Sequence, residues 1–126
     1  MVEKDGEHKN RLDLKLRGLV PFVDFARMMA LRYGIKETNT LERLQMLASL
    51  GHMPEEMVRE TVEAYEFIMQ VRLAHQLKMI EAGIAPHNFV DPAQLSDLER
   101  MTLKASFGVI NRLQTFVAKL GFTDEY

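Results

Sequence analysis

Apolar side chains recur at three- and four-residue spacing through four stretches of the chain, and each stretch is followed by a glycine: Gly34, Gly51, Gly83 and Gly121. Such spacing gathers apolar residues on one side of a helix, and glycine, free to take positive φ, commonly ends one. The opening signals agree. Pro21 suits a first helical turn, Asn39 with Glu42 and Ser96 with Glu99 read as N-cap and three-later carboxylate pairs, and Pro54 precedes Glu55 and Glu56. The pattern predicts helices over roughly 20–33, 40–50, 54–82 and 96–120. The expected fold class is all-α, an antiparallel four-helix bundle with an extended N-terminal arm.

The arm is expected because Leu12-Asp13-Leu14-Lys15-Leu16 alternates apolar and polar residues, as an extended segment with one covered face does. It has no obvious strand partner. Two readings stand: a terminal arm lying on the bundle, or a segment completing a preceding domain. Residues 1–18 are accordingly read as arm or junction, and 19–126 as the bundle. The longest connection, Gly83 to Pro92, is stiffened by Pro86 and Pro92 and crosses between the two long helices.

Polar residues interrupt the pattern in the third helix. Val58, Thr61, Tyr65, Ile68, Met69 and Met79 share a face with Arg72 in its centre and His75 and Gln76 beside it. A guanidinium buried without a partner costs several kcal/mol, so Arg72 needs a carboxylate, helix-end carbonyls, water or an anionic ligand. Either the three residues form an internal network that fixes helix register, or they line an anion or nucleotide pocket suited to the planar donor fork of arginine. In the first helix Phe22, Phe25, Ala26, Met29, Ala30 and Tyr33 face inward, while Met28 and Leu31 project from the other side. The fourth helix has an apolar arc from Met101 through Ala105, Val109, Phe116, Leu120, Leu113, Val117 and Ile110 to Leu103 and Phe107. That arc belongs to a central helix or to an oligomer interface. Arg112 and Gln114 near its edges are candidate partners for the polar patch.

Composition narrows the function. The 126 residues carry 16 Lys and Arg against 18 Asp and Glu, a net charge of −2, which argues against nonspecific nucleic-acid binding. Without cysteine there is no disulfide framework, thiolate zinc site or cysteine nucleophile, which suits a cytoplasmic protein. No apolar run suggests a membrane span, and Val2-Glu3-Lys4-Asp5-Gly6-Glu7 is too polar for a signal peptide. Glycine-rich phosphate loops, Glu-x-x-His pairs, His-Glu-x-x-His and Asp-x-Asp are missing. His8 in the arm, His52 before a helix, His75 on the third helix and His87 in a loop are dispersed, so no metal site is expected. The nine Met residues read as adaptable core filler.

A series of short motifs resembles a known family. Asp13-Leu14-Lys15, Gly18-Leu19, Pro21, Ala26-Arg27, Ala30-Leu31 and Asn39-Thr40-Leu41-Glu42-Arg43-Leu44 open it. Ala64-Tyr65-Glu66-Phe67, Arg72-Leu73, His75-Gln76, Asn88-Phe89-Val90-Asp91-Pro92, Leu95 and Leu103-Lys104 continue it. In order and spacing, from about Asp13 to Val117, they resemble the nucleotidyltransferase substrate-binding domain, also called the C-terminal part of domain of unknown function 294. The region is distantly similar to the helical segment that follows the catalytic domain in PII-protein uridylyltransferase and glutamine-synthetase adenylyltransferase.

The resemblance implies an accessory domain that assists nucleotidyl transfer, with catalysis in a separate upstream domain and no activity in this chain alone. It also implies magnesium and nucleoside triphosphate at that catalytic domain, with no cofactor here. Cyclic-nucleotide-binding and cystathionine-β-synthase-type modules are expected further upstream. Asp13, Lys15, Arg27, Arg43, Arg72, His75, Gln76 and Lys104 coincide with family positions and are the candidate substrate-binding residues. Asn39 and Thr40 are better read as a helix cap. The competing readings are a protein-interaction or homodimerisation bundle, suggested by Met28, Leu31 and the fourth helix, and a small-molecule sensor using the Arg72 pocket.

Overall fold

The computed structural model describes Val2, Glu3, Gly6 and residues 10–121. His8, assigned above to the arm, lies outside the described residues. Among them are four α-helices, α1 (Val20–Tyr33), α2 (Thr40–Ser49), α3 (Glu55–Glu81) and α4 (Asp97–Lys119), in an all-α bundle. The caps act as the sequence predicts. The Asn39 side chain accepts from the amide of Glu42 at 3.1 Å, and Ser96 and Glu99 form a reciprocal capping box. Gly34 ends α1 at φ 67°, a left-handed conformation that costs glycine nothing.

The segment before α1 departs from the expected extended arm. Among its described residues only Leu12–Asp13 form a strand, β1, and it has a partner: Leu12 pairs with Val90 and Asp13 with Phe89 of β2 (Phe89–Val90), antiparallel. Leu14–Leu19 then coil into a π-helical turn that runs directly into α1. Asp13 starts that turn by accepting from the amide of Leu16 at 3.0 Å, and capping by a short acidic side chain overrides the two-residue alternation. Leu12 and Leu14 are core residues, whereas Leu16 is exposed. Leu12 is 3% exposed and Leu14 is fully buried, so the segment is built into the bundle. Gly18 permits this, because a Cβ there would lie 2.9 Å from Cγ2 of Ile68 on α3.

The core joins Phe22, Phe25, Ala26 and Met29 of α1 to Leu44 and Leu47 of α2, Val58, Ala64, Ile68 and Val71 of α3, and Leu103, Val109, Ile110 and Leu113 of α4. Phe22 and Tyr65 meet as tilted rings 5.7 Å apart, and Tyr33 stacks on His52 at 3.6 Å. Thr61 is fully buried but satisfied by the carbonyl of Met57 at 2.7 Å. Met69, placed inward by the sequence pattern, is exposed, and Ala64 and Val71 fill the core instead. The broad arc of α4 serves two contacts. One edge packs against α3, and the other borders a groove of about 440 Å³ towards α1, lined by Val20, Pro21, Phe25, Met28, Ile110 and Leu113 among others. No helix among the described residues is long and apolar enough to cross a membrane.

Candidate functional site

The polar residues of α3 converge on the crossover segment. Arg72 Nε donates to Asn88 Oδ1 at 2.7 Å, and Gln76 Nε2 donates to the same oxygen at 3.1 Å. One turn away, His75 Nε2 lies 2.7 Å from the carbonyl oxygen of Phe89. A carbonyl can only accept, so this nitrogen carries the proton. The Asn88 carbonyl accepts from the amide of Leu14 at 2.8 Å. Three positions within two turns of the helix, 72, 75 and 76, therefore hold β2 against α3, and β2 holds β1. The crossover follows from its own sequence: Pro92 cannot donate a backbone hydrogen bond, and the Asp91 side chain accepts from Ala93 at 2.9 Å to start the Pro92–Gln94 3₁₀ turn.

Arg72 has no carboxylate partner among the described residues. Its Nε is anchored on a neutral amide, it is half-buried, and its two terminal nitrogens have no protein acceptor among the described residues. Asn88 fixes the fork in one orientation while leaving its outer N–H groups to water or an anion.

Next to this clamp is a cleft of about 300 Å³ between the C-terminal half of α3, the crossover and the residue preceding β1. Arg11, His75, Lys78, His87, Asp91 and Gln94 supply its polar lining, with Met79, Ala82, Ile84 and Phe89 as apolar wall. Phe89 N donates to Nδ1 of His87 at 3.1 Å, which makes that nitrogen an acceptor and places the proton of a neutral ring on Nε2. The rings of His75 and His87 are 5.9 Å apart, centroid to centroid, tilted at 60°. The lining offers cationic and N–H donors to a negatively charged or polar ligand. Among the described residues no three His, Cys, Asp or Glu side chains converge as metal ligands, and Asp91 is the single carboxylate lining the cleft. This donor set does not fit magnesium.

The structure gathers some of the sequence-predicted residues and disperses the rest. Arg72, His75 and Gln76 share the clamp, and β-pairing sets Asp13 opposite Phe89 beside it, although the Asp13 side chain is used as a cap. Lys15 is exposed on the π-helical turn that follows. Arg27 on α1 and Lys104 on α4 are exposed and do not line the cleft. Arg43 on α2 donates from Nε to the carbonyl of Glu37 at 2.7 Å, which braces the loop before that helix. Arg112 reaches Glu60 at 2.9 Å, not the clamp. Sequence reasoning missed Arg11, Lys78 and Asp91 as cleft residues and set His87 aside, because they come from three separate segments.

Fold and site together define an all-α module that presents a fixed guanidinium and a basic cleft where its longest helix meets a crossover. The chain belongs to the family described as "Putative nucleotidyltransferase substrate binding domain", whose model matches residues 1–120. No curated protein and no solved structure gives a significant match.

Proposed function

We propose that this chain is the accessory substrate-binding domain of a nucleotidyltransferase and that it receives an anionic group where α3 meets residues 87–91. The group is a phosphate of the nucleoside triphosphate or the acidic surface of a protein acceptor. One observation carries the reading: Arg72 is anchored through Nε by Asn88 with its outer nitrogens open, beside a cleft lined by Arg11, His75, Lys78 and His87. Planar, permanently charged forks suit phosphate and carboxylate oxygens, and a prefixed fork loses less freedom on binding. The family name supports a partner nucleotidyltransferase domain. In this reading magnesium and the transfer chemistry belong to that domain, and the present residues bind and orient. A cytoplasmic location belongs to the same reading and rests on the cysteine-free composition.

Titration calorimetry of the chain with nucleoside triphosphates, and separately with an acidic peptide, tests it. Binding that weakens at least tenfold in Arg72→Ala supports the site. Equal binding by both proteins, or none to either ligand, overturns it and leaves the interaction-module reading.

A further inference from the structure

Both backbone polar groups of Phe89 are held by histidines. Its amide donates to Nδ1 of His87 at 3.1 Å, and its carbonyl oxygen accepts from Nε2 of His75 at 2.7 Å. The strand pairing explains why they are within reach. The Leu14 amide bonds the Asn88 carbonyl at 2.8 Å, so Asn88 sits at a bonded position of the ladder and Phe89, opposite Asp13, at a non-bonded one. The peptide groups of Phe89 therefore turn away from β1, towards the helix and the loop.

The two bonds respond differently to a proton. His75 donates, and an imidazolium donates at least as well, so that bond survives protonation of the ring. His87 accepts. Its Nδ1 serves Phe89 only while it carries no proton, and a proton there sets one N–H against another. The surroundings sharpen the difference. His75 and Lys78 of α3 and Arg11 ahead of β1 line the same cleft as His87, and Arg72 stands three residues before His75. Among the described residues Asp91 is the one carboxylate in that lining, and its Oδ1 is engaged by the Ala93 amide. The Asp13 carboxylate, across the strand pair, is engaged by the Leu16 amide.

We propose that His87 is a proton-operated latch between the crossover loop and β2, closed while the ring is neutral and released when Nδ1 takes up a proton. The loop it frees runs between two fixed points. At one end the Ile84 amide bonds the Met79 carbonyl at 2.8 Å, and at the other Asn88 is bonded by Arg72, Gln76 and Leu14. Release leaves β2 on α3, because the bonds of His75 and Asn88 persist, and it moves the wall of the cleft, because Ile84 and His87 both line it. The sign follows from the bond. The latch is closed well above about pH 6.5, the ordinary histidine midpoint, and is lost as pH falls through the range in which His87 charges. Its regulatory use rests on the anion site proposed above, whereas the bond and its loss need no ligand.

The test is a nuclear magnetic resonance titration of the ligand-free chain from about pH 8 to about pH 5, across the range of histidine. It follows the Phe89 amide, the Ile84 methyl groups and the rings of His75 and His87. The Phe89 and Ile84 signals should move with the midpoint of the His87 ring, while the amides of Leu12 and Val90 stay in place. Corrected for its intrinsic rate, exchange of the Phe89 amide should be about fivefold faster in the protonated form, the scale of one neutral hydrogen bond. His87→Phe should abolish the pH-dependent movement of Phe89, and His75→Gln should keep it. A Phe89 amide that stays still while His87 titrates, one that follows His75 instead, one that still moves in His87→Phe, or an unmoved Ile84 would overturn the latch. Anion binding by calorimetry with an unmoved Phe89 sinks the latch alone, and a moving Phe89 without anion binding sinks the site alone.

Discussion

Arg72 and Asn88 are 16 residues apart, and the 2.7 Å bond between Nε and Oδ1 ties the middle of the longest helix to the crossover. The same oxygen serves Gln76, so one small side chain holds two helical positions. Asn88→Ala should therefore cost about 2 kcal/mol in denaturant unfolding, the scale of a charge-assisted hydrogen bond plus a neutral one. Asn88→Asp should retain the acceptor and recover most of the loss. If Asn88→Ala unfolds like wild type, the clamp does not hold the crossover.

Leu12 and Leu14, ahead of α1, are core residues. Leu14→Ala should lose about 2–5 kcal/mol, the range for a buried Leu truncated in a packed interior, whereas Leu16→Ala, at an exposed position of the same turn, should lose under about 1 kcal/mol. Equal small losses would return the segment to a loosely attached arm.

Gly18 makes a separate prediction because its neighbour Ile68 is fully buried and has little room to yield. Gly18→Ala should destabilise by about 1–3 kcal/mol through overpacking. Ile68→Ala removes the offending methyl group, so the double variant should lose less than the sum of the single losses. Strict additivity would show that the close approach is not what selects glycine.

The capping box at the start of α4 gives a pH signature. The Ser96 amide, and after it the Ser96 hydroxyl, hold the Glu99 carboxyl below its ordinary value by bonding its charged form. A depressed native value means that the stabilisation is present above the unfolded-state value and is lost as pH falls through the native one. Glu99→Gln keeps hydrogen-bonding capacity and removes the charge. It should be less stable than wild type near neutral pH and converge with it in acid, followed by urea unfolding across the acid range. Ser96→Ala should cost about 1 kcal/mol at neutral pH.

The helices were legible because their signals are local. Asn39, Ser96, Gly34 and the three-to-four residue spacing lie within each element, and the observed ends fall within a residue or so of the expected ones. The β1–β2 contact was not legible, since two residues on each side carry no period and their pairing joins Leu12 to Val90. Asp13 shows the same limit: alternation around it suggested a strand, but its side chain caps the turn that ends the strand. Arg72, His75 and Gln76 stood out because they break a helical pattern. Arg11, Lys78 and His87 break none, and only the folded crossover places them around one cleft. Met69 was misassigned because α3 carries apolar residues both on its core face and on an exposed one.

The most direct test of the proposed site is a residue-resolved titration. Amide correlation spectra of the ¹⁵N-labelled chain, recorded against a nucleoside triphosphate and against an acidic peptide, should show saturable shifts concentrated at Arg11, residues 72–79 and residues 87–91 for one of the two. Shifts confined to the α1–α4 groove around Phe25 and Leu113, or no saturable shift with either ligand, would contradict an anion site at the clamp.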